Sequence, residues 1–357
     1  MAVAARPEEA WAAAAQVWSP FVLVAGLLLI GLVAEEDQLF SAAGHRLAGR
    51  VARGRTLFAG AVLLVAGVTA ILNLDTAVAF LTPVLVYSAR RRGEGDAALL
   101  YGTLFLANAG SLLLPGSNLT NLIVLGHLHL TGGQFFGRMA LADIAAVGVT
   151  AAVVGVVERR SFRAGTEVTD QPERPLMGVG MVAVLAATIL VLAVHSPAVP
   201  VAAVGVVAVG ARVAARRERP ARVVEVLGLP VLLGLFGVAV ALGTLGRAWS
   251  GPADLLAHLD LWWTAVVAAG ASVLVNNLPA ASLLAARVPP HPEALLVGLN
   301  LGPNLFVTGS LAWVLWLRAA RSAGARPSLT RASHLGAVVV PLSMVAALGA
   351  LVAAGTH

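Results

Sequence analysis

Ile71-Leu72-Asn73-Leu74-Asp75-Thr76 places one carboxylate inside an apolar stretch running from Leu57 to Tyr87, with no other charge between Arg55 and Arg90. An acid at membrane depth costs about 2.5 to 3.5 kcal/mol on insertion scales, so it is rarely kept there without a task. About two hundred residues later a second polar break, Asn276-Asn277-Leu278-Pro279, interrupts another apolar stretch. Paired interruptions in two halves of a membrane chain point to a secondary transporter.

Composition agrees with that class. Of 357 residues, 59% are hydrophobic and 12% charged, against roughly 25% charged in a soluble domain, and the mean hydropathy is +0.87. The expectation is a single all-α integral membrane domain over residues 1–357 with about eight full spans of about 20 residues each. The basic residues are all Arg, which excludes Schiff-base lysine chemistry. Cys is absent, which excludes disulfides, thiolate metal sites and thiol nucleophiles. The net charge of +6 and pI near 11.2 come from arginines in short loops, so nucleic acid is not an expected partner. No cofactor or metal is expected, because His127 and His129 have no companion ligands. No enzyme constellation and no nucleotide-binding loop occurs, so energy is expected from an ion gradient, unless a cytoplasmic ATPase subunit docks. A homodimer is left open.

Basic loops stay cytoplasmic, which orients the chain. Trp18–Val33 reads as a first span leading to an amphipathic piece, Glu35–Arg55, that is inside. Thr56–Ser88 then leaves and returns to the inside cluster Arg90, Arg91 and Arg92. Each arm is about 16 residues, roughly 24 Å, short of the ~30 Å core, so a re-entrant hairpin with its tip at Asn73–Thr76 fits better than two spans. Ala98–Leu125 crosses outward with an interruption at Pro115-Gly116-Ser117-Asn118, and Met139–Val157 returns. Leu176–Val194 and Val201–Ala211 are connecting spans. Val226–Leu245 exits, Leu261–Ala286 forms a second hairpin, Ala294–Leu317 is broken at Gly302-Pro303-Asn304, and Gly336–Ala354 ends outside. Span, hairpin, broken span and span occur twice, over residues 18–157 and 226–354, beginning on opposite sides. That is an inverted-topology repeat joined by residues 176–211, with both termini extracytoplasmic in the cell membrane. Met1–Ala15 reads as neither a signal nor a transit peptide.

Unwound backbone is tolerated in hydrocarbon only where it is buried in protein or lines a cavity, so four breaks imply one shared site. Side chains there supply neutral donors and acceptors: Asn73, Asp75, Thr76, Ser117, Asn118, Thr120, Asn121, Asn276, Asn277, Asn300, Gly302, Asn304, Thr308 and Ser310. Structural roles stand beside these. Asp75 could cap the second hairpin arm, the asparagines could be interhelical links, and Gly116, Gly302, Pro115, Pro279 and Pro303 could shape the breaks. Asp143 is expected near a membrane face, where snorkelling or capping suits it. Trp18, Trp249, Trp262, Trp263, Trp313 and Trp316 read as interface anchors or packing.

These motifs resemble the arsenite efflux permeases. Leu72–Pro83 is similar to that family's first hairpin, with an acid tip running into an arm ending Leu-Thr-Pro, and Leu114–Leu122 to its first broken helix. Asn276-Asn277-Leu278-Pro279 is similar to the second hairpin tip, and Leu301-Gly302-Pro303-Asn304 with Thr308-Gly309-Ser310-Leu311-Ala312 to the second broken helix. The family belongs to a larger ion transporter superfamily that includes sodium-coupled dicarboxylate carriers and sodium/proton antiporters. This chain departs from the pattern in having Leu74 directly before the acid, Asn300 and Asn304 in place of Asp and Lys, and about two fewer spans ahead of the first repeat. The resemblance implies export of arsenite or antimonite, a small inorganic solute, by alternating access. Absence of Arg from the breaks favours a neutral solute over a dicarboxylate, and arsenous acid is uncharged near neutral pH. Asp75 would couple export to proton entry, in preference to sodium. A sodium/proton antiporter or an anion transporter of the same fold is the alternative.

Overall fold

A computed structural model describes residues 6–49, 54–126, 128, 130–162, 178–194, 196–215 and 220–355. Among them every assigned element is helical. His127 and His129 lie outside the described residues, as does most of the basic loop after Phe162. The chain opens with α1 (Pro7–Glu36) and α2 (Leu39–Gly49), then the first helix–break–helix pair, α3 (Gly54–Ile71) and α4 (Leu74–Arg91). A broken helix follows as α5 (Ala97–Ala109) and α6 (Leu119–Leu125), and then α7 (Gly132–Val157). The connecting helices are α8 (Val179–Ala193) and α9 (Ala198–Ala214). The same order recurs: α10 (Pro220–Leu227) with α11 (Leu229–Ala248), a short α12 (Gly251–Ala257), the pair α13 (Leu261–Val275) and α14 (Asn277–Leu284), the broken helix α15 (Pro292–Leu301) and α16 (Leu311–Ser322), and α17 (Leu329–Ala354).

Several boundaries differ from the sequence expectation, and local chemistry explains them. α1 starts eleven residues before Trp18, because Pro7 suits a first helical turn, Glu8 and Glu9 complement its dipole, and the alanine-rich run that follows favours helix. α7 begins at Gly132, set by a capping box in which Thr131 and Gln134 exchange hydrogen bonds. α17 starts at Leu329, where Ser328 Oγ accepts from the Arg331 N–H. The first pair has arms of 18 residues each, about 27 Å of helix, and α14 has only 8 residues. Five helices are long and apolar enough to cross a membrane, and four shorter apolar helices accompany them among the described residues.

α1 is the spine of the molecule. Gly26 and Gly205 let the α1 and α9 backbones touch: a Cβ on Gly26 would lie 2.7 Å from Ala202 Cα, and one on Gly205 2.7 Å from the Gly26 carbonyl. At the end of this contact Asp37 is buried against Arg212 and accepts the Gly180 N–H at 2.7 Å, which fastens α8 and α9 to α1. Arg222 pairs with Glu35 and Glu36 beside it.

The two recurring sets of helices pack reciprocally. α1 contacts its counterpart α11, and α7 contacts its counterpart α17. α4 lies along α16, and α14 lies along α6, so each second hairpin arm takes the second piece of the other half's broken helix. Two apolar cores result, one built on α3, α4, α5 and α16, the other on α13, α14, α15 and α6. Outward-facing side chains such as Ile144, Ile189, Val207, Leu233 and Leu342 are exposed and apolar, as lipid contact requires.

Breaking one side of the buried Asp37–Arg212 pair leaves a charge without its partner, a loss of about 3–5 kcal/mol. Arg212→Met is therefore expected to lower the unfolding midpoint in detergent sharply, and Asp37→Asn/Arg212→Met to recover part of the loss.

Candidate solute and ion site at the helix breaks

The first tip is cut by Asn73, whose extended backbone stops α3 and whose Oδ1 accepts the Thr76 N–H at 2.6 Å. Asn73, not Asp75, is therefore the cap of α4. Asp75 is 9% exposed and makes no hydrogen bond or ion pair among the described residues. Beside it, Asn73 Nδ2 and Thr76 Oγ1 are buried without partners. This tip thus presents an acid, an amide donor and a hydroxyl, all unspent.

The second tip is built differently. Asn276 adopts φ 77°, a conformation costing on the order of 1–3 kcal/mol for a residue with a side chain. Three bonds hold it to the second break: the Asn277 N–H donates to the Gly309 carbonyl at 2.8 Å, Asn276 Nδ2 to the Thr308 carbonyl at 3.2 Å, and Thr308 Oγ1 to the Val273 carbonyl at 2.6 Å. Asn276, Asn277 and Thr308 form one group, and Ser310 Oγ next to them is buried without a partner.

Between the two broken helices lies a network of neutral side chains. Asn300 Oδ1, at the end of α15, accepts from Ser111 Oγ at 2.7 Å, Asn118 Nδ2 at 2.5 Å and Thr120 Oγ1 at 3.4 Å. Its Nδ2 donates to Asn121 Oδ1 at 2.9 Å and to the Leu296 carbonyl at 2.8 Å. Asn121 Nδ2 reaches the Ser111 and Leu114 carbonyls at 2.7 and 3.1 Å, and Ser117 Oγ approaches the same two at 2.7 and 2.5 Å. One turn on, Asn304 Oδ1 accepts from Asn108 Nδ2 at 2.9 Å, and Asn304 Nδ2 donates to the Phe105 carbonyl at 3.3 Å. Both breaks are longer than the sequence suggested, running from Gly110 to Asn118 and from Gly302 to Ser310 with 3-10 turns inside them. Gly302 shapes its break, since a Cβ there would lie 2.5 Å from Ala269 Cα.

Residues 1–317 match the CitMHS citrate transporter family. The chain belongs to that family. Among curated relatives it is 27% identical over 339 residues to the arsenical pump membrane protein of Escherichia coli K12, spanning 84% of this chain and 78% of that protein. It is 28% identical over 337 residues to the protein of that name from Yersinia enterocolitica, spanning 84% of this chain and 78% of that one. The inner membrane protein YbiR of Escherichia coli K12 is 27% identical over 317 residues, which is 87% of this chain and 82% of that protein. The crystal structure of the YdaH transporter from Alcanivorax borkumensis superposes with a TM-score of 0.56 at 15% identity, covering 96% of this chain and 86% of that one. A transporter fold of the ion transporter superfamily is thus shared across these proteins, and this chain is a multi-pass membrane transporter. The resemblance to arsenical permeases read from four motifs is borne out by relatives carrying that name.

In this member of the citrate transporter family, Asn300 and Asn304 stand where the arsenite permease pattern has Asp and Lys. They do not substitute for an ion pair by bonding each other, because each bonds across to the first broken helix. The first tip shares no hydrogen bond with the central network among the described residues. Three contributors escaped the sequence reading: Asn108, Ser111 and Asp143. Asp143 does not reach the surface, as snorkelling would require. It lies midway along α7, 4% exposed, and accepts the backbone N–H groups of Leu112 and Leu113 in the first break. The signal was available, for Asp143 is the only charge between Arg138 and Glu158, the criterion that found Asp75. Trp313 and Trp316 are buried rather than interfacial, donating to the Pro303 and Leu100 carbonyls at 2.8 Å each.

A cavity of about 750 Å3 reaches from Gln16 and Ser19 on α1 to Pro115 in the first break and Leu122 on α6. Arg247 is the one charged residue in its lining among the described residues. Its Nη2 donates to Gln16 Oε1 at 2.6 Å, and Gln16 Nε2 ties the Ile123 and Ala285 carbonyls at the ends of α6 and α14. The other parallel pair, α4 and α16, is tied at its end by Arg90, whose Nη1 donates to the Ala323 carbonyl at 2.7 Å.

Removing the Asn300 amide leaves several buried groups unsatisfied at roughly 1–3 kcal/mol each. Asn300→Ala is expected to lower thermal stability in detergent by more than Asn300→Asp measured at acid pH, where the protonated carboxyl keeps the acceptor for Ser111, Asn118 and Thr120 and one of the two donors to Asn121 and Leu296. Gly336→Val is expected not to yield folded protein, since even a Cβ there would lie 2.0 Å from the Asn304 carbonyl oxygen.

Proposed function

We propose that this protein is a secondary transporter that exports arsenite or antimonite across the cell membrane by alternating access, with protons entering through Asp75 as the solute leaves. The observation that carries this reading is the chemistry of the breaks. Apart from Asp75, Asp143 and the Trp313 indole, the polar side chains described there are amides and hydroxyls, matched to an uncharged trihydroxy solute that both donates and accepts hydrogen bonds. Asp75 sits beside the unpartnered Asn73 amide and Thr76 hydroxyl and makes no ion pair among the described residues, so a proton is the simplest way to neutralise it in hydrocarbon. Relatives named arsenical pump membrane protein support the cargo.

The reciprocal packing supports an inverted repeat over residues 18–157 and 226–354. A two-fold relation between halves requires self-pairing of some counterparts and exchange of others. α1 with α11 and α7 with α17 supply the first, and α4 with α16 and α14 with α6 the second. In this reading the two hairpins re-enter the membrane, and the basic clusters around Arg90, Arg212 and Arg331 lie in the cytoplasm with both termini outside.

An organic anion carrier is the second reading, favoured by Arg247 in the cavity that ends at the first break and by the citrate transporter family itself. Arsenite accumulation in cells lacking their own exporter separates the two. The intact protein is expected to lower cellular arsenite, while Asp75→Asn or a protonophore returns it to the level of cells without the protein. Unchanged arsenite with well-expressed intact protein would remove the cargo assignment, and uptake of labelled citrate lost on Arg247→Ala would establish the second reading.

A further inference from the structure

Asp143 has no role in the scheme above. Its carboxylate is 4% exposed, and Oδ1 has no hydrogen-bond partner. The only groups it engages are the Leu112 and Leu113 N–H groups in the first break. A fixed carboxylate cap in hydrocarbon would be expected to fill both oxygens, because an ionised acid left partly unsatisfied is costly. A protonated acid needs fewer donor partners and can give its O–H to a neighbour.

The elements packed on α7 are α3, α5, α8, α17 and the turns Gly110–Leu112 and Arg159–Phe162. Their titratable or charged groups are Arg55, Tyr101, Arg331, His334, Arg159 and Arg160, all at the end of the bundle that carries Glu158. Glu158 itself is fifteen residues from Asp143, about 22 Å along the helix, and is paired with Arg331. Arg138, on the same helix, turns away from Asp143 and pairs with Glu293 at 2.9 Å. No cation therefore neutralises Asp143 among the described residues. Two turns along the same buried face, Thr150 Oγ1 is also without a partner, pointing the polar line toward the Glu158 end.

We propose that Asp143 is a second proton-carrying carboxylate of the transport cycle, seated at the first break as Asp75 is at the first tip. This rests on the transporter reading above. It takes one proton from water on one side of the bilayer and returns it to water on the other; only its O–H bond forms and breaks. When ionised it holds the Leu112 and Leu113 N–H groups, and when protonated it holds them less strongly, so the proton and the shape of the break are linked.

The test needs no substrate. Infrared difference spectra of the purified full chain in lipid nanodiscs, between acid and alkaline pH, read protonated carboxylic acids through their carbonyl stretch. Two buried-acid bands are expected on acidification, one missing in Asp75→Asn and the other in Asp143→Asn. Unchanged spectra for Asp143→Asn would overturn the proposal, making Asp143 a fixed cap that keeps one protonation state. If Asp143→Asn does not fold, Asp143→Glu decides, a displaced band supporting the proposal and an unmoved one overturning it. Loss of the Asp143 band with none attributable to Asp75 would retain this inference while removing Asp75 as carrier. Wild-type protein that moves no arsenite would fail the cargo reading and leave the spectroscopic result standing.

Discussion

Backbone groups freed by unwinding a helix in hydrocarbon have no water to turn to, and the architecture of this protein follows from where it finds substitutes. The first break recruits Asp143 for two N–H groups and Asn121 and Ser117 for two carbonyls. The second uses Trp313 and the tip asparagines for three carbonyls. Asn300 binds one break to the other. The helix arrangement around them, with each second hairpin arm packed on a helix piece from the opposite half, brings these partners within reach.

Much of this was legible in the sequence because membrane chains advertise exceptions. A polar residue in an apolar run is conspicuous, so Asn73, Asp75, Asn118, Asn121, Asn276 and Asn300 could be picked out without a structure. Their partnerships could not. Asn300 lies about 180 residues from Asn118 and Asn121 in the chain, and nothing local to either says that they meet. The ends of the breaks were also illegible. Gly110 and Ser111 look like ordinary small residues in a helix until Asn300 and the backbone of α3 are placed beside them. Asp143 was misplaced for a different reason: a span read from Met139 puts it in the first turn or so, but the capping box at Thr131 starts α7 seven residues earlier and so sets the acid midway along the helix.

The asparagines at positions 300 and 304 alter the electrostatics of the site. An Asp and a Lys one turn apart can neutralise each other and leave their surroundings indifferent to charge. Two amides cannot, but they need no neutralising, and both ends of each can be spent across the interface between halves. The acids that remain, Asp75 and Asp143, then sit among groups that carry no compensating charge, which makes proton or cation occupancy the simplest way to balance them in a low-dielectric interior.

Two kinds of adhesion divide the molecule mechanically. α1, α8 and α9 are joined by backbone contact at Gly26 and Gly205 and by the buried Asp37–Arg212 pair, interactions with steep distance dependence and no ready alternative geometry. The breaks are joined by amide and hydroxyl bonds that converge on Asn300 and Asn304, neutral contacts without the charge pairing that holds the scaffold. The parallel pairs α4–α16 and α6–α14 are fastened at their outer ends by Arg90 and Gln16, away from the breaks. For the alternating access proposed above, a charged and close-packed scaffold beside a neutral centre would place any rearrangement at the breaks, because interfaces switch between discrete packings rather than stretch.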